Sequence, residues 1–155
     1  MAAEENAGAR LTIEARGVLS AVRGSEYNYP SVVVRNVGTE WIGPVRITVE
    51  NLRKSRMRFM DPQLTMSRWE HEGTPQEEVL GGAVSPGQDS EFETLTCESV
   101  ALNLDCKPGQ WVVLYPRVSA GYPGRQNPPG IFDFTIDSAD GSERLGHSQV
   151  VVFIS

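Results

Sequence analysis

Hydrophobic and polar side chains alternate along several short stretches of the chain. Val45, Ile47 and Val49 are separated by Arg46, Thr48 and Glu50, and Phe132, Phe134 and Ile136 by Asp133, Thr135 and Asp137. Successive side chains of a β-strand point to opposite faces, so this pattern predicts strands with one buried and one wet face. The same reading predicts strands over 11–22, 30–37, 44–52, 90–97, 110–120, 131–138 and 148–155. Residues 56–60 and 64–69 form a weaker pair with Asp61-Pro62 as the turn between them. Asp140-Gly141 signals a hairpin, and 98–105 fit either one helical turn or more strand. No segment carries a sustained apolar stripe at a period of about 3.6 with caps, so little helix is expected.

A strand with one apolar face needs a second layer to bury it. About eight short strands in one chain fit two sheets packed face to face. The 155 residues suit a single domain over 1–155, with a long exposed connection near 70–88 where EHEGTPQEEVLGGAVSPGQ is rich in Gly, Pro and Glu. A β-barrel or jelly roll is the alternative arrangement. With 39% hydrophobic and 22% charged residues, the chain has the composition of a protein with an ordinary core.

The runs VVVRNVGTEWIGPVRITVEN, VSPGQDSEFETLTC and PGQWVVLYPRV carry three turn signals. An Asn-x-Gly turn ends one strand, a Pro-Gly turn precedes another, and a later Gly leads into an aromatic-bearing strand. Over Ser31–Val118 this succession resembles bacterial immunoglobulin-like domains of the CARDB type. The resemblance implies an all-β, immunoglobulin-like two-sheet antiparallel sandwich and a role in adhesion, assembly or accessory binding. It carries over no catalytic residue. The 70–88 stretch and the residues after Gly121 depart from the pattern.

Charge narrows the partners. The net charge of -6 argues against a nucleic-acid partner, because neutralising phosphates requires a basic surface. The charge is uneven: residues 1–60 hold nine basic and six acidic side chains, and residues 61–155 hold five and fourteen. No stretch of about 18 apolar residues predicts a membrane span. MAAEENAGAR lacks the apolar region of a secretory signal, so the virion or the cytoplasm is the expected location, or the exterior if a leader is removed. Cys97 and Cys106 are too few for a disulfide framework and show no CxxC spacing.

Catalytic chemistry is not signalled. The chain has no G-x-S-x-G elbow and only two histidines, His71 and His147, and no fixed ligand spacing predicts a metal. Asp137, Asp140 and Glu143 around DSADGSE carry hard oxygen ligands, but Asp-Gly is already accounted for by a turn. Tyr27 and Tyr29 in EYNYP, Trp41 and Tyr122 are candidate sugar-contact aromatics, whereas Trp111 and Tyr115 fit a buried strand face. Arg53, Lys54, Arg56 and Arg58 form a dense basic run, a candidate contact patch for an acidic protein surface, another copy included. The combined expectation is a non-enzymatic module with no cofactor that acts through protein contacts. It would be a structural or assembly component of a virion (decoration or tail) or another particle. The alternative is a carbohydrate-binding or adhesion module.

Overall fold

The computed structural model describes residues 10–17, 19–52, 57–70, 73–86, 93–106, 109–120 and 129–154. Among them are eleven strands: β1 (Leu11–Ala15), β2 (Ser20–Ala21), β3 (Val32–Asn36), β4 (Ile42–Asn51), β5 (Arg58–Trp69), β6 (Gln76–Gly81), β7 (Ala83–Pro86), β8 (Glu93–Leu104), β9 (Trp111–Ser119), β10 (Gly130–Ser138) and β11 (Arg144–Ile154). They form a five-stranded sheet in the order β1-β3-β9-β5-β6 and a six-stranded sheet in the order β2-β11-β10-β4-β8-β7. Every pairing is antiparallel except the short parallel contact of β2 with β11. This is the immunoglobulin-like two-sheet sandwich, and both sheets are open, which sets the barrel aside.

The alternation read from the sequence builds the core directly. On β4 and β10 the register pairs Val49 with Phe134 and Ile47 with Ile136, and all four are inaccessible. They face Val32 and Val34 of β3, Leu64 and Met66 of β5, and Val112 and Leu114 of β9 in one cluster. Phe59 meets Phe132 edge to face, with centroids 5.9 Å apart, and so ties β5 to β10 across the two sheets. Full burial of each such side chain contributes about 1.5–3 kcal/mol, so the sandwich is held mainly by this layer.

The strand count departs from the expected eight for three local reasons. The predicted strand 11–22 breaks after Ala15, where Gly17 has a φ of 72°, and the chain passes from the five-stranded to the six-stranded sheet. The predicted pair 56–60 and 64–69 is one strand, β5. Asp61-Pro62 forms not a turn but a bulge between Phe59, opposite Val118, and Leu64, opposite Pro116. Proline has no N–H to give to a ladder, so a bulge accommodates it. The stretch expected as a connection near 70–88 contains β6 and β7, one at the edge of each sheet, and only Leu80 of β6 is buried. Residues 98–104 complete β8 rather than making a helical turn, with Ser99 and Asn103 at positive φ beside register shifts against β4.

Gly82 makes the step between the two edge strands. Its N–H donates to the Pro62 carbonyl at 2.9 Å, and a Cβ there would lie 2.7 Å from the Thr96 carbonyl oxygen and 2.8 Å from Cys97 Sγ. Neighbouring Gly81 has nothing within 4 Å of such an atom. Gly82→Ala should therefore cost about 1–3 kcal/mol of stability. Gly81→Ala should be neutral or gain up to about 1 kcal/mol by restricting the unfolded chain. Urea denaturation of the two variants checks this contrast.

Candidate functional site

The outward residues of the five-stranded sheet do not form an ordinary solvated face. On β9 the positions between the core residues are Trp111, Val113 and Tyr115, and on β5 they are Thr65, Ser67 and Trp69. Register places Trp69 opposite Trp111, Ser67 opposite Val113 and Thr65 opposite Tyr115. The two indoles stack with centroids 6.2 Å apart and planes within 5°. The Arg35 guanidinium lies over Trp111 at 4.9 Å and that of Arg16 over Trp69 at 5.3 Å. Val113 points outward with its neighbours, yet only 1% of it is exposed. A second apolar layer thus covers this face, built from rings and arginine stems.

Beside this ladder runs a groove of about 490 Å³ whose walls include Arg16, Tyr29, Trp69, Glu77, Val79 and Tyr115, with Ser31, Thr65 and Ser67 among the remaining lining residues. Tyr29 is set by Asn28, a buried side chain that accepts from the Val22 N–H at 2.8 Å and donates to the Ser25 and Val118 carbonyls. These bonds staple the EYNYP loop to β9 and bring Tyr29 against Tyr115, centroids 5.8 Å apart and planes at 87°. Tyr27 lies under the Arg117 guanidinium at 5.1 Å, and Arg117 is paired with Asp61 at 2.9 Å. The Tyr115 hydroxyl donates to Glu77 across β5 at 3.3 Å. Partial burial, then the Glu77 carboxylate, raise the Tyr115 phenol above its ordinary value.

The candidate aromatics are divided by the fold. Tyr27 and Tyr29 join this face. Trp41 stands at the start of β4 in the other sheet, its ring against Gly43, and Tyr122 lies outside the described residues. Trp111 and Tyr115, assigned to a buried strand face, point outward instead, because Val112, Leu114 and Val118 take the core positions. Trp69, Arg16 and Arg35 received no role from the sequence. The usable signal for Trp69 was its phase: it alternates with Thr65 and Ser67, not with Leu64 and Met66.

The remaining candidates that lie among the described residues have structural partners. Arg53, Lys54, Arg56 and His71 lie outside the described residues, and Arg58 donates to the Met57 carbonyl and approaches Glu93 at 4.0 Å. Asp140 accepts from the Ser138 and Ser142 hydroxyls and the Ser142 N–H, which hold its carboxyl at about 2. Asp137 pairs with Arg144, and Glu143 with Arg10. His147 contacts Asp133 across β10 and β11. Both cysteines are free. Cys97 is buried and its thiol is pushed up to about 11 by that burial, while Cys106 is exposed. None of the described residues in the chain forms a helix able to cross a membrane.

Glu77→Gln should lower the Tyr115 pKa towards the ordinary tyrosine value without reaching it, since burial remains. The phenol binds its proton more tightly when folded, so its contribution to stability is present below the ordinary tyrosine pKa and is lost as the pH rises through the folded value. Ultraviolet titration of tyrosinate in the wild type and in Glu77→Gln tests both statements.

No family model matches the chain, and no curated protein matches it at a significant level. Solved structures do share its fold. A chain of the CaDoc0917–CaCohA2 complex is similar at 9% identity with a TM-score of 0.51, covering 94% of this chain and 99% of that one. A cohesin module from a family 33 glycoside hydrolase of Clostridium perfringens has 9% identity and a TM-score of 0.48, covering 94% and 96%. AvmM, which catalyses macrocyclization in alchivemycin A biosynthesis, has 10% identity and a TM-score of 0.48, covering 94% and 87%. At such identities the likeness concerns the fold alone.

Proposed function

We propose that residues 1–155 form one β-sandwich domain without catalytic activity that acts through protein contacts, with the outer face of the five-stranded sheet as its contact surface. The observation that carries this reading is the cluster of Trp69, Trp111, Tyr115, Tyr29, Arg16 and Arg35 around the groove. Trp, Tyr and Arg are the residue types that dominate binding energy at protein interfaces, because they combine a large apolar area with a polar handle. Here they are locked by stacking before any partner arrives, which lowers the ordering cost of association. The CARDB-type resemblance of Ser31–Val118 supports the same assignment. A structural or assembly component, such as a decoration or tail protein of a virion, works in this way through one face of a rigid sandwich. The basic run Arg53, Lys54, Arg56 and Arg58 is proposed as a secondary contact for an acidic protein surface.

A carbohydrate-binding role is the second reading, favoured by the exposure of Tyr27 and Tyr29. Sugars stack on open ring faces. The indole pair of this face is stacked on itself and lies under arginines, and Tyr29 and Tyr115 stand perpendicular, so the geometry suits peptide groups better.

Panning a displayed random-peptide library on the immobilised protein, beside a glycan array, separates the two. Peptides should be enriched on the wild type and lose at least about tenfold in affinity on Trp69→Ala, the loss typical of an interface anchor. Glycan binding without groove-dependent peptide enrichment would contradict the protein-contact reading.

A further inference from the structure

Most of the described arginines are spent on their own chain. Arg10, Arg46, Arg58, Arg117 and Arg144 are paired with carboxylates, and Arg68 donates to the Leu102 and Asn103 carbonyls. Arg16 and Arg35 differ. Each lies on an indole face and neither has a carboxylate within 4.0 Å among the described residues. Stacking uses the flat face of a guanidinium and leaves its in-plane N–H donors unspent. The chain carries 20 acidic and 14 basic residues, so carboxylates to pair with these two are not in short supply.

A second group in the same place is also unsatisfied. Trp69 lines the groove, and its indole N–H is buried without a hydrogen-bond partner among the described residues. Buried N–H donors are nearly always bonded, and one left without a partner beside a groove is available to whatever fills it.

We propose that this sheet face seats an extended acidic peptide segment that lies in the groove, with carboxylates on Arg16 in its wall and on Arg35 beside it, and a main-chain carbonyl on the Trp69 indole N–H. This rests on the reading of the sheet face as a protein-contact surface and names the chemistry of what docks there. The Arg35 guanidinium lies over Trp111 and that of Arg16 over Trp69, and these indoles stack 6.2 Å apart, so both cations stand within reach of one short segment. An extended segment presents alternate side chains on one face about 7 Å apart, so acidic residues on that face can meet the pair. Glu14 and Glu77 stand on the same face, with Glu77 engaged by the Tyr115 hydroxyl. They bring the local charge near balance. Recognition thus depends on charge-assisted hydrogen bonds to the two guanidinium groups rather than on a long-range field.

Two displayed peptide libraries, identical except for Glu or Gln at alternate positions of one extended face, test this on the full chain. The Glu library should be enriched, and its selected peptides should bind at least about tenfold tighter than their Gln counterparts, the worth of a charged hydrogen bond. Arg16→Gln with Arg35→Gln should erase that preference while the protein stays folded, its unfolding midpoint lowered only modestly by the lost stacking on the indoles, and either arginine alone should remove part of it. Equal or greater enrichment of the Gln library would overturn the acidic segment but keep the protein-contact face. So would a Glu preference that survives the double substitution. Enrichment of neither library overturns both. Arginine-dependent binding of oligogalacturonate in place of peptide would assign the site to an acidic saccharide and overturn the proposal as well.

Discussion

The two faces of the five-stranded sheet cannot be set independently, because one register places the side chains of both. Pairing Met66 with Leu114 and Leu64 with Pro116 buries the apolar side of β5 and β9. The same pairing puts Trp69 against Trp111 and Thr65 against Tyr115 on the opposite side. A slip of one residue would send the indoles into a filled core and the leucines into water, so burial of the core fixes the register strongly. The groove inherits its precision from that constraint and needs no flexible loop to form its floor.

On this fixed lattice a few polar contacts place the less regular parts. Asn28 staples the tyrosine-bearing loop to β9. Asn36 does similar work at the other end of β3, donating to the Glu40 and Leu104 carbonyls at 2.7 and 2.9 Å and accepting from the Gly38 N–H. Each is buried and its amide donors and acceptor are engaged, so it supplies order where hydrophobic packing cannot. Gly82 provides the close approach that lets one chain segment edge both sheets, with β6 bounding the groove.

The sandwich was legible in the sequence because alternation is a local signal: Val45, Ile47, Val49 and Phe132, Phe134, Ile136 announce their strands without help from elsewhere. Asp61-Pro62 misled because a proline in a bulge and a proline in a turn look alike until the partner strand is known. The 70–88 stretch misled because edge strands with charged residues such as Glu77 and Glu78 carry little apolar pattern. The site was legible only in part. Tyr27 and Tyr29 stand out as loop aromatics, but Trp69 and Trp111 are 42 residues apart and meet only through the β5–β9 register. Aromatic content suggested that Trp111 was core. Its phase relative to Val112 and Leu114 points the other way, and phase follows from the strand geometry whereas composition does not.

The central claim is that the outer face of the five-stranded sheet is the working surface of this protein. Amide hydrogen exchange, with and without a peptide selected on the wild type, tests it most directly. Added protection over 63–69, 76–81 and 111–117 is the predicted result, with β10 and β11 unchanged. Protection confined to β10, β11 and the loops beside them would contradict the account.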